Sequence, residues 1–159
     1  MWCRFPTPSD LALAEPEEGL PYLKAIWHYA RGVASIAQGN HAAARAEADA
    51  IAAIDRTADF SVLKTAGIPA NDVMKIANQV LQGRIMQVQG DFSGAIEQFR
   101  KAAEIQDTLA YMEPPFWYYP VPQSLAAALV QAKRYDDAAE QFRLRLMRAP
   151  NNPWSSYGL

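Results

Sequence analysis

The sequence predicts an all-α fold, a stack of about three helix pairs followed by a truncated fourth, and three observations support this. Apolar residues recur at three- and four-residue spacing through most of the chain, which is the period of a helix that is buried on one side. Short turns separate segments of helical length. The same order of small and aromatic residues returns three times. We therefore predict one domain over residues 1–159, which is long enough to bury a hydrophobic core.

The first predicted helix pair covers residues 21–54. A helix ends at the turn Gly39-Asn40, and an Ala-rich helix follows over 41–54. Before this pair, Thr7 followed by proline predicts the start of a short helix, because Thr is a favourable N-cap and Pro fits the first helical position. After the pair, residues 59–66 are expected to form a short extra helix.

The second and third predicted pairs cover residues 71–107 and 122–150. In the second pair, Asn71 or Asp72 is expected to cap the first helix. Asp91 is expected to cap the second helix, because its carboxylate can accept a bond from a backbone N–H that has no partner within the helix. Between the two pairs, prolines exclude a regular helix until about residue 123.

One sequence motif occurs three times without gaps. Each copy has a small residue in the first helix, a turn seven residues later, and Ala and aromatic positions at fixed offsets in the second helix. The aligned positions are Gly32, Gly39, Ala44, Ala48 and Ile51 in the first copy, Gly83, Gly90, Ala95, Phe99 and Ala102 in the second, and Ala126, Lys133, Ala138, Phe142 and Arg145 in the third.

This motif resembles the tetratricopeptide repeat (TPR), whose unit is one antiparallel helix pair. The resemblance implies a right-handed α-solenoid with repeats over 21–54, 71–107 and 122–150 and a partial repeat over 153–159. Residues 111–125 further resemble the C-terminal part of larger bacterial TPR proteins that have no firmly assigned activity. We therefore expect this chain to be the C-terminal part of a longer solenoid.

The resemblance also implies a function, a non-catalytic scaffold for protein–protein interaction that uses no cofactor. In TPR proteins the first helix of each pair faces a concave groove that holds an extended or helical peptide. Some of these proteins grip a partner's C-terminal carboxylate with Lys and Asn, and in this sequence Tyr29, Val80 and Gln123 occupy those positions. A mostly apolar partner segment is therefore expected. The predicted groove residues are Tyr29, Val33, Val80, Arg84, Gln87 and Gln123.

The second candidate site is the proline- and aromatic-rich insert that follows residue 107. Its rings are either an exposed platform for a partner or a filling between stacked repeats, with Tyr118 or Tyr119 expected to be exposed. Glu113 either sits in a desolvated pocket, where it would serve a small-molecule or enzymatic site, or accepts a bond from a Tyr hydroxyl. The residues of this candidate platform are Tyr111, Glu113, Trp117, Tyr118 and Tyr119.

Composition argues against several other classes of function. A formal charge of −2 gives no basic surface for nucleic acid. The longest aliphatic run, residues 125–130, is far too short to cross a membrane, and the first residues lack the apolar core of a signal peptide. We therefore expect a cytoplasmic location with neither a membrane nor a nucleic-acid partner.

Motif searches identify no site for metals or nucleotides. The two histidines, His28 and His41, fall on different helices and Cys3 is remote from both, so no ligand spacing typical of a metal site occurs. His28 beside Trp27 is expected to be a packing residue. At the end of the chain, Trp154, Tyr157 and Leu159 form an apolar stripe over 153–159 that could join two copies of the chain.

Overall fold

The computed structural model describes residues 14–17, 19–148 and 153–158, and these residues form eight α-helices and no β-strand. The predicted all-α class is therefore confirmed for the part of the chain that is described. The helix expected to begin at Thr7 lies outside the described residues. The helices are α1 (Pro21–Ala37), α2 (His41–Thr57), α3 (Ser61–Thr65), α4 (Ala70–Val88), α5 (Phe92–Thr108), α6 (Val121–Gln131), α7 (Tyr135–Arg148) and α8 (Pro153–Gly158).

Neighbouring helices pack in chain order. α1 packs against α2, α4 against α5, and α6 against α7, so each predicted pair is present. α2 and α1 both contact α4, α5 contacts α6, and α7 contacts α8. A single hydrophobic core runs through these contacts, because a helix with one apolar face must bury it against its neighbours. The short α3 confirms the extra helix that residues 59–66 predicted.

The turns inside the three pairs share one backbone geometry. Gly39, Gly90 and Lys133 occupy the same position in their turns, with φ angles of 74°, 82° and 60°. In each turn the following residue donates its N–H to a carbonyl five residues earlier, over 2.9–3.0 Å. This hydrogen bond and the left-handed residue together define the Schellman helix ending. The three turns are therefore equivalent in structure as well as in sequence.

Small residues occur where helices approach most closely, as the repeat motif predicted. A Cβ atom on Gly32 of α1 would lie 2.4 Å from a methyl carbon of Leu81 in α4. A Cβ atom on Gly83 of α4 would lie 2.8 Å from the ring of Phe99 in α5. Real Cβ atoms essentially never come so close to another atom, so a larger residue at either position would force its neighbour to shift. Ala126 is fully buried in α6.

Two details of the predicted helices differ from the structure. Neither Asn71 nor Asp72 caps α4, which begins after Pro69 with no side-chain cap. The Asn71 amide instead donates to Asp55 of α2 over 2.9 Å, so it connects two helices. α6 begins at Val121, earlier than expected, because a proline is tolerated in the first turn, where its missing N–H would have no partner anyway.

The predicted cap of α5 is confirmed, and α2 has a similar cap that was not predicted. Asp91 caps α5, and its carboxylate accepts a bond of 2.9 Å from the N–H of Gly94. Asn40 caps α2 in the same way, with its side-chain oxygen 3.1 Å from the N–H of Ala43.

Within the described residues, no helix combines the length and the apolar character that crossing a bilayer requires.

Candidate functional site

The insert, residues 109–120, folds back onto the face that the first helices of the pairs present. The ring of Trp117 meets the ring of Tyr29 in α1 edge to face, with centroids 5.1 Å apart. The hydroxyls of Tyr118 and Tyr29 are 3.0 Å apart and share a hydrogen bond. Such aromatic contacts are favourable beyond the area that they bury. The two sites predicted from the sequence, the groove and the aromatic platform, therefore meet in one place.

Arg84 of α4 marks the edge of this contact. Its guanidinium lies 5.9 Å from the centre of the Tyr119 ring, a distance suited to a cation–π interaction. The Tyr119 hydroxyl also hydrogen bonds to Ser124 of α6 over 3.0 Å. Although burial acts to lower it, the pKa of Arg84 is raised by the neighbouring oxygens of Tyr29 and Tyr119. Arg84 therefore remains a cation between the insert and the open surface.

Gln106, near the end of α5, fixes the end of the insert. Its amide nitrogen donates to the carbonyl of Tyr119 over 2.9 Å. Its amide oxygen accepts from the backbone N–H of Val121 over 2.8 Å. One side chain therefore satisfies both backbone groups where the insert joins α6, which holds the insert against the helices. The sequence motif gave no sign of this role.

The insert covers Tyr29, and Val80 is buried within the helices, so the predicted groove is corrected at both positions. Tyr29 is only 6% exposed and Val80 is fully buried, so a partner cannot touch either of them. Trp117 is 3% exposed, which means that it fills space between helices and offers no free ring face. Of the two tyrosines expected on the surface, Tyr118 is 65% exposed, while Tyr119 is partly buried.

Burial also sets the chemistry of Tyr29. Loss of hydration raises the pKa of its phenol well above the ordinary value, because the charged phenolate is disfavoured away from water. The group is therefore a neutral hydroxyl at physiological pH. It can exchange a hydrogen bond with Tyr118, and it is no candidate for a base.

The open part of the predicted groove is a cleft between the last turns of α1 and α4, which we call the α1–α4 cleft. Its volume is about 220 Å³. Three of the predicted groove residues, Val33, Arg84 and Gln87, form part of its wall. The described lining residues are Val33, Ile36, Ala37, Arg84, Gln87 and Val88.

The rim of the α1–α4 cleft extends toward the third helix pair. The side chain of Gln87 donates to Gln131 at the end of α6 over 2.6 Å. Val88 is 51% exposed beside it, and Val130 of α6 is exposed as well. The sixth predicted residue, Gln123, lies in the first turn of α6, apart from this cleft, and is half-buried.

The carboxylate of Glu113 is exposed, so the desolvated pocket considered for it is wrong. The carboxylate accepts a hydrogen bond of 2.5 Å from the Tyr111 hydroxyl, so the other possibility predicted from the sequence, a bond from a Tyr hydroxyl, is confirmed. This bond raises the pKa of the Tyr111 phenol, because the nearby negative charge disfavours a phenolate. Both side chains line a separate cleft of about 460 Å³ that the insert forms with the end of α5.

His28 belongs to a charged cluster between α1 and α2 that the sequence did not reveal. Its Nδ1 lies 2.6 Å from the carboxylate of Glu47. The same carboxylate accepts a hydrogen bond of 2.8 Å from the Arg31 guanidinium. The Arg31 guanidinium lies 4.6 Å from the centre of the Trp27 ring. The sequence gave little sign of this ion pair, because Glu47 comes nineteen residues after His28.

Among the described residues, no group of three or more His, Cys, Asp or Glu side chains is arranged to hold a metal ion.

Comparison of the chain with models of protein families, with curated proteins and with solved structures gave no significant match.

Proposed function

We propose that this chain is a TPR-like, right-handed solenoid that acts as a non-catalytic scaffold and binds an extended segment of a partner protein in the α1–α4 cleft. Equivalent turns at Gly39, Gly90 and Lys133 and helix pairs in chain order support the TPR-like arrangement. The observation that carries the function is the cleft itself. Its walls are aliphatic, and one half-buried cationic side chain, Arg84, lines it.

The lining of the cleft indicates the chemistry of the segment. Ile36, Ala37 and Val88 offer aliphatic surface, and burying such surface against a partner is favourable by about 25 cal/mol per Å². Arg84 is the one charged side chain among the described lining residues, and it is positive. A segment with an aliphatic anchor and a nearby carboxylate matches both features, because opposite charges fix the orientation of a bound peptide.

The insert limits the length of that segment. With Tyr29 covered by the insert, the α1–α4 cleft lies at the ends of α1 and α4, and the bond from Gln87 to Gln131 connects its rim to the end of α6. A cleft of about 220 Å³ accommodates one or two side chains, whereas a long amphipathic helix needs a continuous row of anchors. We therefore propose a short extended peptide with one aliphatic anchor as the partner.

The test is a binding measurement with a matched pair of variants. Peptides selected from a random displayed library would be synthesised, and their affinities for the full chain measured by calorimetry. Val88→Glu places a negative charge in the cleft, where it would repel a carboxylate and hydrate the aliphatic wall. Val62→Glu makes the same change on α3, where the side chain is 79% exposed and far along the chain from the cleft. We expect Val88→Glu to weaken binding at least about tenfold.

Val62→Glu should leave the affinity unchanged. The proposal fails if the selected peptides share no aliphatic residue, or if both variants bind them equally well. Substituting the carboxylate of a bound peptide by an amide separates the role of Arg84 from that of the aliphatic wall, since only the charge changes.

A further inference from the structure

Arg84 belongs to two parts of the molecule at once. It is the cation in the described lining of the α1–α4 cleft. It also faces the insert, because its guanidinium lies 5.9 Å from the centre of the Tyr119 ring. The side-chain oxygens of Tyr29 and Tyr119 are close enough to act on its charge. The place of Arg84 in the cleft therefore depends on side chains that are not among the described lining residues.

Tyr119 is held from two directions. Its backbone carbonyl accepts a hydrogen bond of 2.9 Å from Gln106 of α5. Its hydroxyl hydrogen bonds to Ser124 of α6 over 3.0 Å. An arginine side chain has many rotamers, and ordering them opposes the binding of a ligand unless a neighbour has already fixed the side chain. A ring that is itself fixed can supply that order to Arg84.

The contact with Tyr119 leaves Arg84 able to bind a ligand. A ring attracts a guanidinium through its face, whereas a carboxylate accepts hydrogen bonds from the five N–H groups along the edge. The two contacts are therefore compatible. Arg84 is also half-buried, so water screens its charge less than it screens a cation on an open surface.

We infer that the ring of Tyr119 positions Arg84 to receive a carboxylate in the α1–α4 cleft, so that the insert contributes to the site as well as covering Tyr29. This inference rests on the proposed function, because it concerns the same cleft. Arg84 and Val88 are four residues apart on α4. Residues with this spacing are neighbours on one helix face, with Cβ atoms about 5–6 Å apart. The ligand therefore carries its carboxylate about one helical turn from its aliphatic group.

The test uses two small compounds, 4-methylpentanoate and 4-methylpentanamide, which share the aliphatic group and differ in charge. Binding to the full chain would be followed by NMR through the backbone amide of Val88. We expect wild type to bind the carboxylate about tenfold more tightly than the amide, since hydrogen bonds to charged groups are the stronger kind. The Nε of Arg84 is buried. Its N–H signal, assigned by its loss in Arg84→Lys, should shift with the carboxylate only.

Tyr119→Leu removes the ring and leaves Arg84 and the aliphatic walls in place. We expect the preference for the carboxylate to fall to about twofold and the affinity for the amide to stay unchanged. Distortion of the cleft would instead weaken both compounds. Tyr119→Phe keeps the ring and should keep the preference within about twofold of wild type. Tyr111→Leu is the matched control, because Tyr111 is an exposed ring of the same insert that bonds to Glu113.

Several results would overturn this inference while leaving the proposed function intact. One is a Tyr119→Leu variant that keeps the tenfold preference, and another is a Tyr119→Phe variant that loses it as the leucine variant does. Equal weakening of both compounds in Tyr119→Leu would show that the ring only supports the shape of the cleft. Equal binding of both compounds to wild type would show that Arg84 does not recognise a carboxylate. If wild type binds neither compound, the proposed function and this inference both fail.

Discussion

At the scale of single residues, the three equivalent turns show how one backbone conformation is built from different amino acids. Glycine adopts a positive φ without strain, whereas a residue with a Cβ atom meets its own carbonyl there. Two of the turns use glycine and the third uses Lys133, with φ 60°. The third turn is therefore the strained member of the set.

Exchanging the residues at these turns should change stability in opposite directions. We expect Lys133→Gly to raise the free energy of unfolding by about 0.5–1 kcal/mol and Gly90→Ala to lower it by about 1–2 kcal/mol. A Cβ atom on Gly90 would meet nothing within 4 Å, so its effect comes from the backbone alone. Urea denaturation measures both. A destabilised Lys133→Gly variant would contradict the equivalence of the turns.

The contact between Gly83 and Phe99 gives a second prediction. Gly83→Ala should cost about 1–3 kcal/mol, because the added methyl overlaps a fully buried ring that cannot move aside. Phe99→Ala should cost about 3–5 kcal/mol as a large core truncation. In the double variant the cost of the added methyl should largely disappear. Additive costs in a double-mutant cycle would show that the two residues do not meet.

Tyr29 gives a prediction on pH dependence. Its pKa is raised in the folded state, so its contribution to stability is complete below the unfolded value of about 10 and is lost as pH rises toward the folded value. We expect Tyr29→Phe to be less stable than wild type at neutral pH, since the bond to Tyr118 is lost. Above pH about 10 this difference should shrink. Parallel alkaline unfolding curves for the two proteins would rule out a buried Tyr29 phenol.

At the scale of elements, the insert decides which part of the first-helix face is open. It lacks regular structure, so its position depends on side chains that reach it from the helices. Gln106 makes two hydrogen bonds to its last residues, and Trp117 and Tyr118 contact α1. These contacts join positions that lie far apart in the sequence.

Gln106→Ala should therefore loosen the insert. The carbonyl of Tyr119 and the N–H of Val121 would both lose their partner, at a cost of about 1–3 kcal/mol. Hydrogen exchange at the Val121 amide should become faster, and residues 109–120 should become sensitive to protease. Glu104→Ala, an exposed change on the same helix, is the control. If the two variants exchange Val121 at the same rate, Gln106 does not hold the insert.

At the scale of the whole molecule, the helices pack in sequence and the core continues from one pair to the next. At the end of the described chain, Tyr157 on α8 is 91% exposed. Of the apolar stripe predicted over 153–159, the side chain of Trp154 and all of Leu159 lie outside the described residues.

The exposed ring of Tyr157 on α8 should associate with a second copy of the chain. We expect sedimentation velocity to show a mass that increases with concentration, because an exposed apolar surface is buried when two copies meet. Tyr157→Glu should shift the equilibrium toward monomer, and Val62→Glu, which adds the same charge at an exposed position on α3, should not. A wild-type chain that remains monomeric at millimolar concentration would refute this expectation.

Local patterns were sufficient to predict most of the helices. The spacing of apolar residues located α1, α2, α4, α5 and α7 closely, and the turn residues and the Asp91 cap were identified correctly. These features depend on neighbours a few positions away. The start of α4 was less certain, since Asn71 bonds to another helix and leaves the helix end uncapped.

The sequence alone determined the helical class, the order in which the helices pair and the close contacts at Gly32 and Gly83. The helical class follows from the spacing of apolar residues, and the pairs and contacts follow from the fixed spacing of the motif positions along the chain. What only the tertiary structure decided was the surface. Burial of Tyr29, its aromatic contact with Trp117 and the separation of the two clefts all depend on where the insert lies. The physical reason is that an irregular segment has no repeating pattern, so its position is set by long-range side-chain contacts that the sequence does not display.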